Sequence, residues 1–182
     1  MGGEKLDLAL ENFNQVIEID DRYSPAYNGR GLVWDRFFKF DEALEDFSVA
    51  IGLDPENPIY WHNRACCYRN LGDMEKALND FDQAVDLDPL NPIIYSNWAF
   101  VWWKEGKYKE AIDDYSNELK YGSQDEVKAY NYWAFCHVKV NDYDKAIEDY
   151  SASLSLAPEN IHAKHNKGIC YERLEKYDEV SP

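Results

Sequence analysis

The chain has 182 residues, of which 45% are apolar and 15% aromatic, more than an unfolded segment carries, so a packed core is expected throughout. Its formal net charge of −16 excludes a phosphate-seeking surface and makes nucleic acid and anionic membranes poor partners. No stretch reaches the roughly 18 apolar residues of a membrane span, and the first residues lack the apolar run of a signal peptide. A cytoplasmic protein is therefore expected.

In chain order, residues 4–23 read as a partial unit, with 6–19 forming the second helix of a pair whose first helix is absent. Full units follow at 24–57, 58–91, 92–126 and 127–160, and residues 161–182 read as a first helix and the start of a truncated second. The division rests on register. Ala43, Ala77 and Ala111 stand 34 residues apart, Ala146 follows after 35, and Phe47, Phe81, Tyr115 and Tyr150 keep the same steps. One inserted residue lies in Lys120–Asp125.

Each unit predicts two helices. In 58–91, Trp61, Ala65 and Tyr68 share one face, and Ala77, Phe81 and Ala84 repeat the spacing on the next helix. Leu71-Gly72-Asp73 supplies the turn and Asp88-Pro89 the stop. Small residues (Gly31, Ala65, Ala99, Ala134) let the helix axes approach, while neighbours such as Trp34 and Phe47 fill the flanks.

These residues resemble the tetratricopeptide repeat. Tyr27, Gly31, Trp34, Ala43, Phe47, Ala50 and Pro55 fit its pattern, as do Trp61, Ala65, Tyr68, Gly72, Ala77, Phe81, Ala84 and Pro89; the later units fit through Tyr95, Ala99, Trp102, Ala111 and Tyr115, and through Tyr130, Ala134, Ala146, Tyr150 and Pro158. The resemblance implies an all-α, right-handed superhelical solenoid of helix-turn-helix repeats, first helices lining a concave groove. It also implies a protein-binding scaffold. An element that assembles through its open repeat ends, and a regulatory segment of a larger enzyme, are the alternatives. No polar cap closes either end, so the natural chain is expected to extend further.

Catalytic, cofactor and metal sites are not expected. Cys67, Cys136 and Cys170 occupy the place of Val33 and Val101, a small buried position, and Cys66 turns elsewhere. His162 and His165 have no carboxylate or cysteine at ligand spacing. Acidic pairs such as Glu45-Asp46 and Glu148-Asp149 recur in register, as structural pairs do and a catalytic dyad does not. Arg30 and Arg64 on the first helices suggest stacking contacts with the preceding unit, Arg64 reaching Asp46. Glu118 and His137 break the apolar pattern beside the insertion, where a changed angle between units is expected.

By resemblance, the peptide-binding groove is expected at Asn28, Asn63, Asn97, Asn131 and Asn166, whose amides pair with an extended backbone, and at His62. Phe100, Trp103, Tyr132 and Phe135 add an aromatic patch for side-chain anchors. The partner is expected to be a protein or peptide, extended, with apolar and basic residues. The places that hold a carboxylate clamp in some relatives carry Asn28, Leu32, Asn63, Ile93 and Asn97, without the clamp's cations, so an acidic chaperone C-terminus is not expected.

Overall fold

A computed structural model describes the backbone of residues 2–180 and the side chains of residues 4–175. Ten α-helices run in order, and no strand occurs among the described residues: α1 Gly2–Ile19, α2 Ser24–Arg36, α3 Phe40–Leu53, α4 Pro58–Leu71, α5 Met74–Leu87, α6 Pro92–Lys104, α7 Tyr108–Tyr121, α8 Glu126–Lys139, α9 Tyr143–Leu156 and α10 Ile161–Val180. They fall into two compact units, Met1–Pro89 and Leu90–Pro182.

Local chemistry sets the helix ends. Asn57 and Asn91 cap α4 and α6 by accepting the amides of Ile59 and Ile93, each ahead of a proline in the first turn. Asp73, Asp125 and Asp142 cap α5, α8 and α9 in the same manner, accepting the amides of Lys76, Lys128 and Lys145. The hairpin turns pass through a left-handed residue, Gly72 at φ 85° and Gly106 at φ 73°, and Asn141 at φ 63° does the same after α8. The matching residue after α2 is Phe38, at φ 59°.

In the N-terminal unit Ala43, Phe47 and Cys67 pack with Trp34, Phe40 and Leu44, and Ala50, Ile51 and Tyr60 pack with Tyr27 and Trp61. In the C-terminal unit Ala99, Ala111, Tyr115 and Cys136 form one cluster, and Ala134, Ala146, Tyr150, Ala163 and Cys170 another. The alanines are fully buried, as a close helix crossing requires. Cys67, Cys136 and Cys170 are buried like Val33 and Val101, while Cys66 is half-buried with its Sγ 3.6 Å from His62 Nε2.

Two expectations are corrected. Arg64 does not pair with Asp46: it clasps Asp80 of its own unit, as Arg30 clasps Asp46, because residues sixteen apart face each other across one hairpin. Each arginine reaches the preceding unit through a neutral group instead, Arg64 to Ser48 and Arg30 to Asn14. The second correction concerns α10, one continuous helix to Val180 with no truncated partner inside it. Leu174, Glu175 and Lys176 are strong helix formers, and no glycine or asparagine stands where Gly106 and Asn141 turn the chain. Residues 181–182 of that last partial unit lie outside the described residues.

Candidate peptide-binding groove

The C-terminal unit brings four of the expected aromatics together. Phe100 and Trp103 lie one turn apart on α6 with stacked rings 5.5 Å between centroids, and Tyr132 and Phe135 lie one turn apart on α8. Trp103 meets Tyr132 edge-on at 5.6 Å and Phe135 at 6.0 Å, and Phe100 meets Tyr132 at 6.5 Å. Tyr132 is backed by Tyr115, nearly parallel at 5.9 Å and itself buried. Edge-to-face contacts of this kind fix ring orientation. All four rings are half-buried rather than openly exposed, since each covers its neighbours.

Beside them runs a groove of about 400 Å³ walled by Trp103 of α6, Asn131, Tyr132 and Phe135 of α8, Tyr150 of α9 and Asn166 of α10. Five of the ten expected site residues thus share one cavity. Phe100 supports it from behind Trp103 and Tyr132.

The asparagines have local duties. Asn97 Nδ2 donates to the Ile93 carbonyl at 2.9 Å, and Asn131 Nδ2 to the Val127 carbonyl at 2.8 Å, each one turn back on its own helix. Asn166 lines the groove together with Tyr150. In the N-terminal unit Asn63 Nδ2 donates to Asn28 Oδ1 at 2.8 Å, joining α4 to α2. A two-point grip on a passing peptide backbone would compete with these bonds. His62, also in the N-terminal unit, packs its ring on Phe81 at 5.8 Å, and burial holds its pKa below the ordinary value.

Three functional candidates went unread in the sequence. The ammonium group of Lys104 lies over both Phe100 and Trp103, at 5.4 and 5.3 Å from the ring centroids, Lys139 over Phe135 at 5.1 Å and Lys128 over Tyr132 at 5.9 Å. Each is exposed and stands four residues from its ring (Phe100 to Lys104, Lys128 to Tyr132, Phe135 to Lys139), a spacing that places both on one helix face. That spacing was the available signal.

The two pattern-breaking residues are buried. Glu118 accepts a hydrogen bond from Ser123 Oγ at 2.6 Å, and burial raises its carboxyl pKa. His137 Nε2 lies 3.7 Å from Asp149 Oδ2 and its Nδ1 3.8 Å from Asp142. Burial raises Asp149 to about 7 and lowers His137. Among the described residues no group of three or more His, Cys, Asp or Glu is placed to hold a metal ion, and no helix is long and apolar enough to cross a membrane.

Hairpins in register, each sealed by a small residue against a large aromatic, define a helical-repeat protein. Residues 58–91 and 127–160 match the tetratricopeptide repeat family. Those two stretches are tetratricopeptide repeats, and the fold that contains them is an all-α helical repeat solenoid. Solved structures share the fold. The C-terminal part of a TPR repeat-containing protein from Cytophaga hutchinsonii matches with a TM-score of 0.82 at 16% identity, over 99% of this chain and 70% of that one. A tetratricopeptide repeat protein from Parabacteroides merdae matches at 0.77 and 21% identity, over 96% and 69%. YrrB, described as a TPR protein with an unusual peptide-binding site, matches at 0.75 and 20% identity, over 92% and 86%. No curated protein matches the chain in sequence.

Proposed function

We propose that the chain is a non-catalytic scaffold that holds an extended segment of a partner protein, anchoring an apolar side chain of that segment in the groove of the C-terminal unit. The observation that carries this reading is the coincidence of Trp103, Tyr132 and Phe135 on one cavity, with rings already oriented by mutual contacts. Pre-set aromatic walls lower the ordering cost of binding and favour a side-chain anchor. Asn131 and Asn166 line the same cavity and supply polar contacts to the segment's backbone, Asn131 at the expense of its bond to Val127. Asn28, His62 and Asn63 belong to the N-terminal unit and Asn97 bonds within its own helix, so none of the four is counted among the groove's walls. The peptide-binding site named for YrrB is consistent with the reading. Four free cysteines, three of them buried, suit a reducing compartment such as the cytoplasm.

Selection of random displayed peptides on the purified chain tests the reading. The selected peptides are expected to share a large apolar residue and to lose at least tenfold in affinity against Phe135→Ala, at an unchanged Kd for Ile59→Ala, an exposed control in the N-terminal unit. Peptides that bind both variants and the parent alike would move the site away from the groove.

A further inference from the structure

We propose that the segment held in this groove is acidic, an apolar anchor flanked by aspartate or glutamate side chains that meet Lys104, Lys128 and Lys139; the inference rests on the groove reading above and names its ligand. Net charge points the other way, toward a basic partner, but the distribution of charge in the C-terminal unit favours an acidic one. The helices that carry the four-ring patch, α6 and α8, together hold three lysines and one glutamate, whereas α7 and α9, the latter supplying Tyr150 to the groove, hold seven acids and three lysines. Among these four helices the acids thus gather on the second helix of each hairpin. Its aromatic patch carries the opposite sign.

The three lysines are also unspent. All are exposed, and among the described residues none makes an ion pair with a carboxylate; what each covers is an aromatic ring. Lysines elsewhere do find carboxylates, as Lys76 finds Asp73 at 2.7 Å and Lys145 finds Asp142 at 3.5 Å. Asp125, the acid among the groove's lining residues, turns Oδ1 to cap the Lys128 amide at 3.0 Å. An ammonium group resting on a ring keeps its charge and its three donors. It can hold its stem on the aromatic wall while donating to an incoming carboxylate, so anchor and acid are read side by side. This differs from a carboxylate clamp: the lysines stand at the last turn of α6 and at the two ends of α8, none of them at an asparagine place, although Lys128 lies one turn from Asn131, and nothing in their arrangement requires a chain terminus.

Short peptides that share one central phenylalanine and differ only in flanking residues, glutamate, glutamine or lysine, separate the two readings in calorimetry. The glutamate peptide is expected to bind about tenfold tighter than the lysine peptide at low salt, with the gap closing as salt screens it. Lys128→Glu should narrow that preference to about threefold or less. Its fold is secure, because an acid in the first turn of α8 suits the helix dipole. Equal or tighter binding of the lysine peptide overturns the acidic assignment while leaving the groove standing. Failure of all three peptides to bind overturns the groove reading and this inference with it.

Discussion

The guanidinium of Arg64 is clasped at two points by the carboxylate of Asp80, Nε to Oδ2 at 2.7 Å and Nη2 to Oδ1 at 2.8 Å, within a single helical hairpin. Asp80 is 5% exposed, so the pair neutralises a charge that water scarcely reaches. A third bond, from Nη1 to Ser48 Oγ at 3.0 Å, ties the hairpin to the preceding helix α3, and Arg30 repeats the design with Asp46 and Asn14. Arg64→Ala should cost roughly 2–4 kcal/mol in urea unfolding, because it strands a buried carboxylate. Adding Asp80→Ala should recover part of that loss; a double variant no more stable than the single one would show the carboxylate to be hydrated.

Phe38 is the bulky residue in a left-handed turn where the other hairpins place Gly72, Gly106 and Asn141, and its ring is 79% exposed. The conformation costs a side-chain-bearing residue of this kind about 1 kcal/mol, and the exposed ring returns little burial. Phe38→Gly is therefore expected to raise stability by about 0.5–1 kcal/mol, seen as a higher melting temperature. A fall would mean that the edge contact with Phe40, at 6.2 Å between centroids, outweighs the strain.

The repeat itself was legible because it is written redundantly. Ala43, Ala77, Ala111 and Ala146 mark the same crossing, and all four are fully buried. The aromatic patch was legible too, since Phe100 and Trp103, like Tyr132 and Phe135, share a helix face. Pairing partners were not. Register places Arg64 equally well beside Asp46 or Asp80, and only the hairpin's packing decides for Asp80. The local bonds of the asparagine row were not legible either: an amide on a helix finds the carbonyl one turn back, as Asn97 and Asn131 do. Net charge hid the lysines because it averages over faces that the fold keeps apart.

Gly31 stands where later units carry Ala65, Ala99 and Ala134, and the reason is contact. A Cβ at Gly31 would lie 2.8 Å from Cε1 of Phe47, a ring that is itself 1% exposed and has nowhere to retreat. Gly31→Ala gains about 1 kcal/mol of helix propensity but overpacks this crossing, for a net loss of about 1–2 kcal/mol in denaturant unfolding. Phe47→Leu in the same chain should relieve the clash; a Gly31→Ala variant as stable as the parent would show that α2 and α3 can separate.

Asp149 occupies the place of Asp46 and Asp80, but Trp133 stands where their arginines stand, and among the described residues Oδ2 has no hydrogen-bond partner. Burial is the main cause that raises its carboxyl from 3.8 to about 7, with Glu148 and Asp142 adding to it and Lys145 opposing. A carboxyl raised on folding stabilises the native state in its protonated form. That contribution is complete below about pH 4 and is lost as the pH climbs through about 7. His137, 3.7 Å away, is lowered by burial, so its own contribution runs oppositely, present above its ordinary value of 6.5 and lost as the pH falls. Asp149→Asn removes the first dependence and keeps the second. The variant should match the parent in stability near pH 4 and exceed it by roughly 2–4 kcal/mol near pH 8, the upper figure following from the size of the shift. Paired urea titrations of parent and variant across that range measure the difference directly, and a gap that does not widen with pH would mean that Asp149 ionises as an ordinary surface aspartate does.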